Sequence, residues 1–234
     1  MVTSSGPLPF LPQHLISTIP LPILEPLIPI PYKPPHLTHN RASTVAVVNL
    51  VFPPTSKPFH PPGFGYLIPR PVTDYPKEAP EGTDISHALL GTVFDDAIPT
   101  TPTPESASAA MSGPASSPQP SRLTCMLGGP YPLPNPLPPL EDIVPPLLRT
   151  LAFHLGIEPA EIPEPLHTAI NLQKDSIPTY SVGHVERMRE LTLALEDEGT
   201  WKGRMNIIGS GVGSVSLGDC VKAGREAALK VSKS

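Results

Sequence analysis

The residues best placed to do chemistry lie near the end of this 234-residue chain, in Ile207-Ile-Gly-Ser-Gly-Val-Gly-Ser-Val-Ser-Leu-Gly-Asp-Cys220. An apolar run, a glycine loop and an amphipathic run follow one another there, which predicts strand, loop and helix. Gly209-x-Gly211 after a strand matches the opening of a dinucleotide fingerprint. The third glycine position holds Ser214, however, and no second strand with a ribose-binding acid follows. The spacing still predicts a helix N-terminus whose unshielded backbone amides attract an anionic or electron-rich group. Two readings stay open here: a loop that receives such a group, or a tight connection with no ligand.

Other candidates are thinner. His184, in Tyr180-Ser-Val-Gly-His184, is either an acid/base group or a capping and packing residue at a helix start. Asp219 complements a helix dipole without a catalytic role. Asp95-Asp96 is either a carboxylate site or an exposed turn after a strand. No Ser/His/Asp arrangement and no metal-ligand cluster is visible, so no catalytic and no metal residue is assigned. A net charge of −5 excludes a dedicated nucleic-acid binder, which needs a basic stripe. Cys125 and Cys220 lie too far apart in sequence to suggest a disulfide framework or zinc site, and reduced thiols are expected. No run of eighteen or so apolar residues exists, and Leu15 to Ile30 is broken by prolines at 20, 22, 26 and 29. The first residues lack the basic region of a signal peptide.

The elements that would position these residues are set by proline. Of 37 prolines, ten precede Asn40 and six fall from Pro99 to Pro120, whereas only Pro178 lies beyond Pro165. Residues 1–40 therefore read as a disordered proline-rich leader or a ligand for a proline-recognising domain, and 99–121 as a low-complexity loop or insertion. Thr44 to Phe52 predicts a strand buried on both faces, Gly63 to Pro69 and Ala88 to Phe94 two neighbours in the same sheet, and Arg122 to Leu127 a fourth strand. Glu141 to Leu155 predicts an interrupted helix whose firm part starts at Pro145 and Pro146. Val185, Met188, Leu191 and Leu195 predict an amphipathic helix from Gly183 to Asp197. Met205 to Ile208 reads as a strand, and Val215, Leu217, Val221 and Ala228 as one face of a last helix.

Taken in order, several blocks resemble the mitochondrial type of protoporphyrinogen oxidase, within the flavin-containing amine oxidase superfamily. They are Val45-Ala-Val-Val-Asn-Leu-Val-Phe-Pro53, Gly63-Phe-Gly-Tyr-Leu-Ile-Pro-Arg70, Leu90-Gly-Thr-Val-Phe-Asp95, Met126-Leu-Gly-Gly-Pro-Tyr131, Ile177-Pro-Thr-Tyr-Ser-Val-Gly-His184 with Glu186-Arg-Met-Arg-Glu-Leu191, and Gly209 to Arg225. The resemblance implies a mixed α/β, partial FAD-linked amine oxidase fold. Residues 41–98 and 122–182 would form a substrate-domain mixed sheet with helices, and 183–234 the C-terminal strand and helix of the FAD-binding domain. The N-terminal Rossmann half has no counterpart here, and neither do 1–34 and 99–121. The implied reaction is oxidation of protoporphyrinogen IX to protoporphyrin IX with FAD and oxygen, in haem biosynthesis. Gly209, Ser210, Val215, Ser216, Leu217 and Val185 would contact FAD; Leu67 and Phe94 would contact the tetrapyrrole. The resemblance also implies peripheral association with the mitochondrial inner membrane on its intermembrane-space side, a homodimer, and dependence on the missing half. The alternatives are a non-catalytic fragment or proline-rich partner-binding protein, and another FAD-dependent amine-oxidase-like enzyme.

Overall fold

The computed structural model describes residues 2–3, 6–7, 12–55, 58–69, 71–79, 81–95 and 120–232. The predicted loop at 99–121 lies outside them except for its last two residues, as does Asp96. In chain order the strands are β1 (Val2–Thr3), β2 (Gly6–Pro7), β3 (Leu15–Ser17), β4 (Arg41–Pro54), β5 (Gly65–Leu67), β6 (Leu89–Phe94), β7 (Pro120–Gly128), β8 (His167–Thr179) and β9 (Met205–Ile207). The helices are α1 (Leu21–Leu24), α2 (Leu140–Leu155), α3 (His184–Glu196) and α4 (Leu217–Val231). They fall into two compact units, one of Ser43–Lys174 and one of Met1–Ala42 with Asp175–Ser234. The crossings at 42/43 and 174/175 lie within β4 and β8, against predicted boundaries at 40/41 and 182/183.

The Ser43–Lys174 unit is built on a five-stranded sheet in the order β5-β6-β7-β4-β8. β5 pairs with β6, β6 with β7 and β7 with β4, all antiparallel. The predicted adjacency of the first three strands holds for β5 and β6 alone. β7 inserts between β6 and β4, its residues Gly128 to Arg122 pairing one for one with Val45 to Val51. Ala46, Val48, Leu50 and Phe52 are buried on one face of β4, beneath Ile143, Leu147 and Leu151 of α2. Val47, Asn49 and Val51 on the other face are half-buried, so the strand is not enclosed on both sides as its continuous apolar run suggested. β8 carries no such signal: it is mostly exposed, contains Asp175 and Pro178, and sits at the sheet edge, where a missing donor is tolerated.

α2 starts at Leu140, one residue before the predicted Glu141, and runs unbroken through Pro145 and Pro146 instead of firming only there. Its interior prolines withdraw the N–H groups that would reach the carbonyls of Glu141 and Asp142. Both residues are exposed in the first turn, where water can take the bonds. Pro145 itself is exposed. Pro145→Ala is therefore expected to restore one helical bond and raise stability by about 1 kcal/mol, after the entropy returned to the unfolded chain. The midpoint of thermal unfolding measures it, and an unchanged or lowered midpoint would show that the ring's contacts matter more.

The second unit contains the clearest departure from the sequence reading. Residues 12–40 are not a leader. β3 pairs in parallel with β9, Leu15 opposite Met205 and Ser17 opposite Ile207. Leu21, Leu24, Ile28 and Leu37 are buried with Met188, Leu191, Leu195, Met205 and Ile207 in a second core. The prolines do not prevent this because they begin short helical turns. Pro20 caps α1, Pro22 lies in its first turn, and Pro26, Pro29 and Pro31 sit at the starts of 3₁₀ turns. First-turn N–H groups have no intrahelical partner, so proline loses nothing there.

α3 matches its predicted span, but its buried stripe is His184, Met188, Leu191 and Leu195; Val185 is 74% exposed. On α4 the predicted face is open: Leu217, Val221 and Ala228 are exposed with Val215 just before them, and Ala227 is the buried residue. No helix among the described residues is long and apolar enough to cross a membrane.

Candidate functional site

β9 runs directly into the glycine loop. Gly209 has φ +115°, a conformation that side chains rarely adopt, and a Cβ there would lie 3.4 Å from the carbonyl oxygen of Thr18. The parallel strand β3 thus passes close beside the loop's first residue. The N–H groups of Val212 and Gly213 both donate to the carbonyl of Gly209, at 3.1 and 3.4 Å, and close the turn. Ser216 then caps α4, its Oγ accepting from the N–H of Asp219 at 3.4 Å. Asp219 in the first turn complements the helix dipole, as its sequence position suggested.

Three side chains hold this loop. The Tyr180 hydroxyl donates to the carbonyl of Ser210, Asn40 Nδ2 donates to that of Gly211 at 2.9 Å, and His184 Nε2 donates to that of Val212 at 3.0 Å. The rings of Tyr180 and His184 are stacked, 3.9 Å between centroids and 4° from parallel, and Nδ1 of His184 lies 3.2 Å from Asn40 Oδ1. Burial, with a smaller push from Cys220, holds the Tyr180 hydroxyl above its ordinary value and keeps it a donor. His184 is thereby a buried packing residue rather than a free acid/base group. Beside the loop is a cavity of about 360 Å³ bordered by Ile207, Gly209, Gly213, Ser214, Asp219 and Cys220.

The structure gathers the predicted cofactor residues unevenly. Gly209, Ser210, Val215, Ser216 and Leu217 are contiguous along the loop and the start of α4, and Val215 and Leu217 expose apolar side chains. Val185 follows His184 at the start of α3, the end of that helix tied to the loop. Asn40 was missed, because it sits in sequence that composition assigned to a leader.

In the other unit Leu67 is 77% exposed on edge strand β5, but Phe94 is 2% exposed and faces the α2-covered core, stacked on His60 at 4.2 Å. Phe94 is therefore removed from the candidate ligand contacts: side chains alternate along β6, and position 94 falls on the buried side. Its neighbour Val93 falls on the open side with Leu67. Register extends this face as a row, Leu67 opposite Gly91, Gly91 opposite Met126, Met126 opposite Val47. A Cβ on Gly91 would stand 2.5 Å from the carbonyl oxygen of Tyr66 and 2.9 Å from Leu67 Cδ2, so only glycine lets Leu67 lie across the sheet here. The next row carries Val93, Thr124 and Asn49, with the Thr124 hydroxyl 2.5 Å from Asp95 Oδ2 and 3.0 Å from Asn49 Oδ1. Asp95 is thus engaged within the sheet. Met126 and Val93 lie in blocks that carry the resemblance but were not singled out as contacts, and pairing register brings them onto the face of Leu67.

Beneath this face, the Thr92 hydroxyl lies 3.2 Å from the Tyr66 hydroxyl and 3.7 Å from Cys125 Sγ. Burial pushes the Tyr66 phenol and the Cys125 thiol up to about 12 each, against a lowering by Thr92. Both folded values exceed the unfolded ones, so stability is full below about pH 9 and falls as pH climbs toward about 12. The thiol's share is on the order of 4 kcal/mol. Cys125→Ala is expected to flatten that alkaline loss in chemical denaturation, and an unchanged slope would place its origin elsewhere.

No protein-family model matches the chain. Protoporphyrinogen oxidase of Bos taurus is 30% identical over 231 residues, covering 94% of this chain and 40% of the bovine protein. The Homo sapiens protein of the same name is 29% identical over 94% of the chain, and the Schizosaccharomyces pombe one 30% identical over 81%. A solved structure provisionally named protoporphyrinogen oxidase, from an Exiguobacterium species, superposes with a TM-score of 0.62 at 18% identity, over 93% of this chain and 40% of that one. The chain spans about two fifths of the length of the relatives it matches. A match over 94% of the chain leaves too few residues for all of 1–34 to lack a counterpart, in agreement with the burial of Leu21, Leu24 and Ile28. Nearly the whole chain is thus related in sequence, and similar in fold, to a portion of protoporphyrinogen oxidase, as the order of its motifs implied.

Proposed function

We propose that this chain is the C-terminal portion of a protoporphyrinogen oxidase, contributing part of the FAD site and one wall of the porphyrinogen site. The observation that carries the proposal is the glycine loop with its three carbonyls tied back by Tyr180, Asn40 and His184, beside an open cavity. A cavity of about 360 Å³ sits at the small end for a drug-sized ligand, and a dinucleotide is larger. The residues fit a portion of FAD, and the rest of the cofactor needs protein that the other three fifths of a relative would supply.

On this reading Gly209, Ser210, Ser216 and Leu217 hold the flavin end of FAD, with Val215 and Val185 covering it. FAD held by these residues would supply the hydride acceptor and the path of electrons to oxygen. The chain's own residues position and exclude water; none is asked to carry a proton. Leu67, Val93 and Met126 offer an apolar wall suited to a tetrapyrrole face. The same reading places the protein peripherally at the mitochondrial inner membrane, on its intermembrane-space side, as a homodimer.

The test is coexpression with the remaining three fifths of the bovine relative. The pair is expected to copurify, retain FAD and convert protoporphyrinogen IX to fluorescent protoporphyrin, while the chain alone stays at the autoxidation blank. A pair that forms but holds no flavin would overturn the cofactor reading. Oxidation by the chain alone would overturn its dependence on the rest.

A further inference from the structure

We infer that Tyr180, Asn40 and His184 act together as a carbonyl clamp that sets the glycine loop in its ligand-receiving form before any ligand arrives. Three successive carbonyls, those of Ser210, Gly211 and Val212, each receive a donor from a different side chain. Those side chains come from the end of β4's lead-in, from the turn after β8 and from the first residue of α3. Three consecutive peptide units cannot all be held by one neighbouring backbone strand. Side chains from three places can do so, and they fix the orientation of each peptide plane.

The consequence lies in where the peptide dipoles point. A peptide's N–H and C=O project to opposite sides, so drawing carbonyls toward the clamp turns the amides that follow away from it, and those of Val212 and Gly213 close the turn on the Gly209 carbonyl. Preorganised dipoles of this kind cost no reorganisation when a ligand binds. Stacking of Tyr180 on His184 makes the clamp one body, because neither ring can swing out without parting from the other. Gly209 contributes the turn that allows it, accepting from the Val212 and Gly213 N–H groups. The clamp stands on this geometry, while its use in gripping a flavin rests on the function proposed above.

Roles within the clamp follow from donor chemistry. Tyr180 supplies only its hydroxyl hydrogen, so Tyr180→Phe deletes one bond and keeps the stack. His184 supplies Nε2–H, which a glutamine amide can reproduce and an asparagine amide, reaching only as far as Nδ1, cannot. Asn40→Asp replaces the donor to Gly211 by an acceptor. These are positioning residues, and none is placed against the reacting atoms.

The experiment is amide hydrogen exchange on the full chain without cofactor, read at Val212 and Gly213, with FAD binding measured in parallel. Tyr180→Phe, His184→Asn and Asn40→Asp are each expected to speed exchange at those two amides about threefold to tenfold, the range for one net hydrogen bond. Exchange at Val48 and Leu50 in β4 should not change, and His184→Gln should restore the parent's rates. Unchanged exchange at Val212 and Gly213 in folded Tyr180→Phe would overturn the clamp, as would equal rates in the Gln and Asn variants. If FAD binds, affinity should fall in step with the loss of protection, without a matching fall in melting temperature. If FAD does not bind even the parent complex with its complementing portion, the flavin reading fails and the exchange result still decides the clamp.

Discussion

Deletion of residues 1–40 is expected to unfold the unit that carries the glycine loop and to leave the five-stranded sheet folded. The deletion removes β3, the only strand paired with β9 among the described residues, and four buried side chains, Leu21, Leu24, Ile28 and Leu37. Burying each such side chain is worth about 1.5–3 kcal/mol, so their joint loss rivals the whole stability of a small domain. It also removes Asn40 and so one arm of the loop's support. Hydrogen exchange or limited proteolysis would show protection lost across α3, β9 and α4 while β4, β6 and β7 stay protected. A deletion that leaves α3 protected would return residues 1–40 to the status of a separable, partner-binding leader.

Phe52→Ala is expected to do the reverse. Phe52 is fully buried at the end of β4's core face and meets Phe59 edge to face, 4.8 Å between centroids. Truncating a buried aromatic typically costs about 3–5 kcal/mol, through lost transfer energy and the cavity left behind. The Ser43–Lys174 unit should lose most of its denaturant resistance. Trp201, the chain's single tryptophan, packs against the other core and should report a transition largely unmoved. A coincident shift of the tryptophan signal and of far-ultraviolet circular dichroism would show that the two units unfold as one.

These predictions rest on elements that were unequally legible in the sequence. β4, β6, β7 and α3 announce themselves, because β-branched runs and three-to-four spacing each have a local cause. The strand, loop and helix from Met205 onward were likewise readable, and so was the chain's relation to protoporphyrinogen oxidase. The contribution of residues 12–40 was not. Proline density reads as disorder when helix interiors are the reference, and only the placement of each proline at a turn's start removes the objection. Faces were harder still. Phe94 and Val93 are equally apolar, and which one meets solvent depends on β6's register with β7, a non-local fact. On α4 the apolar face was visible, but its environment was not, and that face is open to solvent.

The pairing of β3 with β9 joins positions from nearly opposite ends of this stretch of chain. A polypeptide emerging from the ribosome would make β4 to β7 of the sheet, and then β8, before β9 exists. Leu21, Leu24, Ile28 and Leu37 must therefore wait without their core while some 150 residues are made, at roughly 5–20 per second. The nascent protein is thus exposed for on the order of ten seconds or more, longer than closing such a loop itself takes. Chaperone capture of this early apolar segment, rather than the equilibrium strength of either unit, would then govern how much mature protein a cell obtains.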